Sequence, residues 1–335
     1  MSKDNLGSGL DIVGMGNAIV DVLSRTEDRF LEVNSLDKGA MILIEAEQAE
    51  KIYAGMGPGM EMSGGSAANT IAAFASMGGN GGFMGKVAND QLGKVFGHDI
   101  RAAGVKFDTP TLSDGTPTAR CLVLITPDGQ RTMCTFLGAA VWMSPADLSE
   151  EMIKNAKVTY LEGYLFDRDR AKQAFRKGSE IAHAAGRKVA LSLCDTFCVE
   201  RHREEFQDLV QSHVDIVFAN EGELLSLYST QDFDEAVFHA RQHCDVAAVT
   251  RGEKGSVIIT KNEIIQVAPE PVTQVVDTTG AGDLYAAGFL YGYTRDLPLA
   301  QCGRIASIAA AEIITQIGAR PQRSLEKLLK EKKAV

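Results

Sequence analysis

The sequence lacks an excess of basic residues: 34 lysines and arginines stand against 44 aspartates and glutamates, a net charge of −10 over 335 residues. Nucleic-acid-binding proteins draw most of their affinity from basic contacts with phosphates, so this balance argues against that class. Long apolar runs are also absent, and none approaches the roughly 18 residues that a membrane span requires. Because the opening Met1–Asn5 has no apolar stretch of the signal-peptide type, we expect a soluble, cytoplasmic protein.

Paired cysteines at the spacing of redox or zinc motifs are missing too. The scattered thiols suit a reducing compartment better than a disulfide framework. Cys194, Cys198 and His202 are spaced four apart, which on a helix would place three possible metal ligands on one face. However, Leu191–Leu193 ends a predicted strand, so Cys194 should lie in a loop. We therefore interpret these residues as unrelated.

What the chain does contain is enough apolar sequence for a large core, with 45% hydrophobic and 23% charged residues. This composition excludes a disordered or fibrous protein. The length predicts about two domains, or one large domain with an elaboration.

Apolar segments typical of buried strands alternate with amphipathic helical segments from about residue 158 onward. A first strand is predicted at Leu10–Gly14, and later strands at Val158–Leu161, Val189–Leu193, Ile216–Ala219 and Val246–Thr250. Helices are predicted at Arg170–Ala185 and Phe233–His243. This alternation predicts an α/β fold with a mostly parallel sheet covered on both faces.

Other β-type segments do not follow this alternation. Cys121–Ile125 and Thr132–Phe136 flank a Pro-Asp-Gly turn, which predicts a hairpin, and Ala40–Ile44 is a further short strand. We predict a small β-rich lid formed by residues 18–62 and 110–141. Residues 1–17, 63–109 and 142–335 would form the large nucleotide-binding domain.

Three glycine clusters are candidates for a phosphate site. Gly14–Ile19 lacks the third glycine of a dinucleotide fingerprint, and Gly79–Val87 lacks two residues that a Walker A loop requires. Asp277–Phe289 is different, because a helix of small apolar residues follows its glycines. Gly280, Ala281 and Gly282 would then lie at a helix N-terminus, where free N–H groups bind anions, with the Asp283 carboxylate beside them.

Four motifs in order resemble the ribokinase-like (PfkB) carbohydrate kinases: Gly64–Thr70, Asn220–Glu223, Val249–Gly255 and Asp277–Asp283. The resemblance implies a ribokinase-like three-layer sandwich with a central, mostly parallel sheet and a β-rich lid. Within the family, Gly16–Asp21 and Val214–Glu221 are most similar to the adenosine kinases. Ser192 departs from the family, where many members have asparagine.

The resemblance implies an ATP-dependent kinase that transfers the γ-phosphate to the 5′-hydroxyl of a nucleoside, with adenosine converted to AMP. The alternatives are a sugar kinase with a non-nucleoside acceptor and a non-catalytic binding protein of the same fold. An adenosine-kinase likeness implies a monomer, whereas ribokinase-type lids pair into dimers. The expected partners are ATP and a small nucleoside or sugar, and neither nucleic acid nor membrane.

Residue roles follow from the same resemblance. Asp283 would accept the proton of the attacking hydroxyl, while the amides of Gly280, Ala281 and Gly282 would stabilise the transferring phosphoryl group. The acceptor would be bound by Asn17, Asp21, Gly64, Gly65 and Asn69. ATP would be bound by Asn220, Thr250, Gly252, Gly255, Thr278, Gly280 and Gly282.

Metal ions, a base-binding wall and a lid arginine complete the expected site. Mg²⁺ would be held by Glu223 and Asn220, largely through water, and K⁺ near the Asp277–Gly282 loop. A nucleoside also needs an apolar wall for its base. The candidates for that wall are Phe136, Leu137, Trp142, Leu165 and Phe166, of which Phe136 and Leu165 are preferred. Arg131 on the lid either reaches the phosphates or is an ordinary surface arginine.

Overall fold

A computed structural model describes residues 9–335, so the segment Met1–Asn5 lies outside the described residues. Among the described residues the strands are β1 (Ile12–Met15), β2 (Ile19–Arg25), β3 (Met41–Leu43), β4 (Gly59–Gly64), β5 (Gly81–Met84), β6 (Lys106–Phe107), β7 (Ala119–Ile125), β8 (Arg131–Phe136), β9 (Val158–Glu162), β10 (Lys188–Ser192), β11 (Ile216–Asn220), β12 (Val246–Thr250), β13 (Ser256–Thr260) and β14 (Ile264–Val267). The helices are α1 (Asp28–Val33), α2 (Ala46–Gly55), α3 (Ser66–Ser76), α4 (Gln91–Ala102), α5 (Glu150–Asn155), α6 (Asp169–Ala184), α7 (Thr196–Arg201), α8 (Arg203–His213), α9 (Glu221–Tyr228), α10 (Phe233–His243), α11 (Ala281–Tyr293), α12 (Leu299–Ile313) and α13 (Leu325–Glu331).

The large sheet has the strand order β14-β13-β12-β11-β10-β9-β1-β5-β6. Neighbouring strands from β12 to β6 pair in parallel, and β13 and β14 extend one edge antiparallel. Parallel pairs require crossovers, and here helices make them on both faces. The predicted α/β fold with a mostly parallel sheet is confirmed.

Alternation along each strand creates one apolar layer on each face of this sheet. Ile12 and Tyr160 pack in the layer that includes α3, α11 and α12. Their chain neighbours Val13 and Leu161 pack in the opposite layer, with α6, α8 and α10. Because both faces are occupied by packing, the free carboxyl ends of the strands are where this sheet can present functional side chains.

A second sheet has the order β3-β8-β7-β2-β4. The predicted hairpin is present as β7 and β8, with Arg120 opposite Phe136 and Ile125 opposite Arg131. Strand β4 was not predicted, because Gly-Met-Glu-Met-Ser-Gly has no β-branched residue; it forms by antiparallel pairing with β2. β2 also pairs in parallel with β7. The division of the chain into two domains stays a prediction.

None of the helices within residues 9–335 has the length and apolar character needed to cross a membrane.

Candidate active site

A cavity of about 610 Å³ lies at the carboxyl ends of the large sheet's central strands, beside the second sheet. This is where open parallel sheets bind ligands. The predicted site residues that line it are Asn17, Asp21, Gly65, Asn69, Asn220, Glu223, Thr250, Thr278, Gly280, Ala281, Gly282 and Asp283. The structure therefore brings residues from five separate segments of the chain into one site.

The glycine loop before α11 has the geometry of an anion site. Gly280 has a φ of 81°, and a Cβ there would lie 2.8 Å from the Cβ of Ala319, so only glycine fits. The Ala281 N–H donates to Thr278 O at 3.1 Å, and its role as an anion donor stays a prediction. The N–H groups of Gly282 and Asp283, in the first turn of α11, have no acceptor within the helix and remain for an anion.

Asp277 orders this loop from below. Its carboxylate accepts from Thr279 N at 3.1 Å, from Thr279 Oγ1 at 2.8 Å and from Gly318 N at 2.9 Å. Arg131, on β8 of the second sheet, forms an ion pair with the same carboxylate. Arg131 is therefore no isolated surface arginine, since its side chain connects the second sheet to the anion loop.

Asp283 has the environment of a general base. Its Oδ1 accepts from Ser66 Oγ at 2.6 Å and its Oδ2 from Asn69 Nδ2 at 3.0 Å, both on α3. Burial raises the pKa of Asp283 to about 6, against the lowering effect of these hydrogen bonds. A carboxylate with a pKa near the working pH is effective at removing a proton from a hydroxyl.

A chamber next to Asp283 is lined mainly by hydrogen-bond acceptors; we call it the acceptor chamber, formed by Asn17, Asp21, Asn69, Glu162 and Asp283. Burial raises the pKa of Asp21 to about 7. The buried amide oxygens of Asn17 and Asn69 have no hydrogen-bond partner. Buried acceptors without donors are costly, so the chamber fits a ligand that carries several hydroxyl groups.

Glu162 is a site residue that sequence reasoning missed. It ends β9, and its carboxylate accepts from Asn17 Nδ2 at 2.7 Å, Asn17 N at 3.3 Å and Ala67 N at 2.8 Å. Burial raises its pKa to about 7. It thereby holds the β1–β2 connection against the start of α3. Its position at the carboxyl end of a predicted strand was the available signal.

Two glycines bring the chain close to the acceptor chamber. Gly65 has a φ of 96°, and a Cβ there would collide with Asn17 O. Gly64 does not line the cavity but lies directly behind Asp21, whose carboxylate a Cβ at this position would meet. Both therefore act through the backbone, as positions at which a side chain would displace Asn17 or Asp21.

On the other side of the anion loop, Asn220 and Glu223 cap α9. Asn220 Oδ1 accepts from Glu223 N at 2.8 Å, and Glu223 accepts from Asn220 N at 2.9 Å and from Asn220 Nδ2 at 2.6 Å. Burial, with the nearby Asp195 carboxylate, raises the pKa of Glu223 to about 7. Thr250 lines the cavity close by, but Gly252 and Gly255 do not; they shape the turn between β12 and β13.

These oxygen donors fit a hydrated divalent cation. No group of three or more His, Cys, Asp or Glu side chains within residues 9–335 is arranged to ligate a metal directly. Glu223 and Asp195 nevertheless line the cavity as two carboxylates, and Glu223 has no basic partner among its hydrogen bonds. This donor set suits Mg²⁺ bound largely through water.

Of the five candidates for the apolar wall, Leu137 lines the cavity and the other four do not. Phe136 and Leu165 do not line the cavity, and both are buried in the core, as is Phe166. Trp142 is exposed, with Arg170 over its ring. The observed wall consists of Ile19, Met41, Leu43, Met133 and Leu137 on the side of the second sheet.

Two exposed aromatic side chains also line the cavity, on segments that follow strands of the large sheet. Tyr164 follows β9, and its hydroxyl donates to Cys194 O at 3.3 Å. Phe197, on α7 after β10, lines the same cavity and is 77% exposed. An aromatic ring left this exposed inside a cavity is available to a flat apolar ligand.

Known proteins resemble the chain over almost its whole length. Residues 57–326 match the family described as pfkB family carbohydrate kinase. The adenosine kinase of Sinorhizobium meliloti is 51% identical, with a TM-score of 0.90 over 97% of this chain and 100% of that one. A probable sugar kinase protein of Rhizobium etli CFN 42 is 49% identical, with a TM-score of 0.90 over 97% and 99% of the chains. Adenosine kinase 2 of Arabidopsis thaliana is 23% identical over 92% of this chain and 94% of that protein.

Proposed function

The chain belongs to the pfkB family of carbohydrate kinases, phosphotransferases with an alcohol acceptor and ATP as co-substrate, and from this we propose that it phosphorylates the 5′-hydroxyl of adenosine. The observation that carries the proposal is the division of the cavity. One cavity is lined by the oxygen acceptors of the acceptor chamber, by the apolar wall and by two exposed aromatic rings. A ribose and a purine base need these two environments side by side.

The acceptor chamber supports the sugar half of this proposal. Asp21 can accept two hydrogen bonds from vicinal hydroxyls, and the unpartnered oxygens of Asn17 and Asn69 need donors of the same kind. A nucleoside would supply its ribose hydroxyls to these groups. Its primary hydroxyl would then point toward Asp283.

Charge argues against a phosphorylated acceptor. Asp21, Glu162 and Asp283 place three carboxylates around the chamber. Arg201 is the one basic side chain of residues 9–335 in the cavity lining, at the rim, 3.5 Å from Asp167. A phosphate or carboxylate on the acceptor would lie against these carboxylates, and like-charge contact of this kind costs affinity. An uncharged nucleoside avoids this repulsion.

The reaction requires little beyond positioning and charge stabilisation. Asp283 accepts the proton as the oxygen of the primary hydroxyl bonds to the γ-phosphorus, the bond from that phosphorus to the β,γ-bridging oxygen breaks, and ADP leaves with the electron pair. The N–H groups of Gly282 and Asp283 donate to the developing charge. Asn220 and Glu223 would hold Mg²⁺ through water, and the ion would supply positive charge to the phosphates. Binding of K⁺ near the Asp277–Gly282 loop remains a prediction from the resemblance.

A sugar kinase with a non-nucleoside acceptor is the second candidate. The 49% identity to the probable sugar kinase of Rhizobium etli favours it. The hydroxyl groups of a free sugar would bind the same acceptor chamber, but a free sugar has no flat apolar group to pack against the exposed ring of Phe197.

The deciding experiment is a panel of kcat/KM values for adenosine, inosine, guanosine, ribose and fructose 6-phosphate, measured by ADP release. We expect adenosine to exceed ribose by at least 100-fold, because ribose forfeits all contacts to the apolar wall. A higher value for ribose or fructose 6-phosphate would refute the nucleoside assignment.

A pair of variants checks the role of the aromatic ring. Phe197→Ala should lower kcat/KM for adenosine by about 10-fold or more and leave any activity on ribose unchanged. Phe238→Ala is the matched control, since Phe238 is also exposed, at 61%, but does not line the cavity. Equal effects of the two substitutions would contradict the proposed base site.

A further inference from the structure

Arg320 lies behind the acceptor chamber, on the segment that follows α12. Its Nε donates to Ser63 O at 3.1 Å and its Nη2 to Ser63 Oγ at 3.2 Å. Ser63 is the last residue before the Gly64–Gly65 pair, and it lies on β4 beside the β2 strand that carries Asp21. The guanidinium therefore connects the segment after α12 to β4 at the edge of the acceptor chamber.

The same short segment also contacts the anion loop. Gly318 N donates to the Asp277 carboxylate at 2.9 Å. Ala319 packs closely against Gly280, since a Cβ added to Gly280 would lie 2.8 Å from the Cβ of Ala319. Residues 318–320 thus touch the phosphoryl side and the acceptor side of the reaction at once.

Electrostatics give this guanidinium a second effect. Burial raises the pKa values of Asp21 and Asp283, and the positive charge of Arg320 opposes that rise in both. Burial in turn lowers the pKa of Arg320 to about 10, so it remains a cation at neutral pH.

Other ionisable groups also face these carboxylates. They are Glu162, Tyr160, Tyr164, Cys121 and Arg131, with Asp99 of α4 facing Arg320 itself. Among them Glu162 is the other carboxylate whose pKa is about 7. Arg131 is already paired with Asp277. Arg320 is thus the cation left to balance the charge of the chamber.

We propose that Arg320 is a positioning residue for phosphoryl transfer, which fixes Ser63 at the edge of the acceptor chamber and favours the ionised form of the Asp283 and Asp21 carboxylates. The proposal rests on the proposed function only in requiring an ionised Asp283 as base, and not on the identity of the acceptor. It accounts for a part-buried arginine that no sequence motif singled out.

Two substitutions separate the two effects. Arg320→Met removes the charge, so the pH below which kcat/KM falls should rise by about one unit, the usual effect of losing a nearby opposite charge. Arg320→Lys keeps the charge but lacks the planar fork that reaches both oxygens of Ser63. It should leave that pH nearly unchanged and raise the acceptor KM several-fold, with the KM for ATP unaffected.

Arg323→Met is the matched control, because Arg323 lies on the same segment but is paired with Glu312 and Glu331 at the surface. It should change neither quantity. An unshifted profile in folded Arg320→Met would overturn the charge effect, and an unchanged acceptor KM in Arg320→Lys would overturn the positioning effect. If Arg320→Met does not fold, a displaced profile in Arg320→Lys overturns the charge effect and an unmoved one supports it.

A readout without turnover keeps this test independent of the proposed function. Carbon-13 NMR titration of the Asp283 carboxyl in the ligand-free protein should give a higher pKa in Arg320→Met than in the wild type. Equal pKa values would overturn the charge effect even if no acceptor in the panel were phosphorylated. If no acceptor were phosphorylated but the Asp283 pKa were higher in Arg320→Met than in the wild type, the proposed function alone would be refuted.

Discussion

Asp283→Asn tests the proposed base with almost no change of shape. The carboxylate accepts from Ser66 Oγ at 2.6 Å and from Asn69 Nδ2 at 3.0 Å. An asparagine side chain keeps one acceptor oxygen and adds one N–H₂ group. Because Asn69 Oδ1 has no partner, rotation of the Asn69 amide provides an acceptor for the new donor. We therefore expect the hydrogen bonds around position 283 to be retained.

The substitution should act on catalysis and stability in opposite directions. Loss of the proton acceptor should lower kcat by about 10²–10⁴-fold. The native pKa of about 6 lies above the ordinary value of 3.8, so at pH 8 the folded protein is destabilised by holding this ionised group. The difference of about 2 corresponds to at most about 3 kcal/mol at about 1.4 kcal/mol per unit. Asparagine carries no such charge and should increase the free energy of unfolding by up to that amount.

Steady-state ADP release and thermal unfolding at pH 8 measure the two quantities. Asp21→Asn is the matched control, since it removes one carboxylate from the same chamber but not the proposed base. It should raise the acceptor KM and reduce kcat far less. A kcat of Asp283→Asn within 10-fold of the wild type, in a protein that folds normally, would refute the assignment of Asp283 as base.

Three further outcomes follow from the same site. When the pH is lowered from 8 to 5, the ligand-free protein should become more stable while kcat/KM falls. The pKa values of Asp21, Glu162 and Asp283 are raised in the native state, so the folded protein binds protons in this range that the unfolded chain does not. An unfolding temperature that drops from pH 8 to pH 6 would contradict this. Asp21→Ala should raise the acceptor KM at least 10-fold and leave the KM for ATP nearly unchanged, whereas equal weakening would place Asp21 outside the acceptor chamber. Gly280→Ala should lower kcat at least 10-fold and stability by about 1–2 kcal/mol, since it forces an alanine to a φ of 81°; wild-type kinetics would show that the anion loop tolerates displacement.

Local patterns were sufficient to predict the sheet and the anion loop. The strands around β9 to β12 are apolar runs bounded by helices, and Gly280–Gly282 precedes a helix of small residues, so each signal is contained in a short stretch of chain. Asp21, Asn69 and Asp283 could be brought together only by the family resemblance. Their contacts join segments more than 200 residues apart, which periodicity cannot register.

Leu137 was correctly placed in the apolar wall, and strand geometry explains why Phe136 was not. Successive side chains of β8 point to opposite faces, so Met133 and Thr135 line the cavity while Phe136 points into the core. A one-residue uncertainty in register therefore exchanges cavity residues for core residues. Leu165 illustrates the same point in a turn, because its neighbour Tyr164 is the one that lines the cavity.

Arg320 had no sequence signal and Glu162 had only its position after a predicted strand, since a charged residue is ordinarily exposed and only tertiary packing removes it from solvent. Glu162 is 1% exposed because two neighbouring segments supply three N–H donors. Arg320 is held by a backbone carbonyl 257 residues away in sequence. Local sequence patterns do not predict contacts between partners so far apart in the chain.

The parallel pairing of β2 with β7 affects how the acceptor specificity of such a kinase can be re-engineered. It joins Ile19–Arg25 to Ala119–Ile125, two stretches that are about a hundred residues apart in sequence, into the middle of one sheet. Grafting residues 17–65 alone from a relative would therefore pair a foreign β2 with the resident β7. A functional chimera has to exchange residues 117–138 as well. The acceptor specificity of this chain can therefore be transferred only by exchanging both segments together.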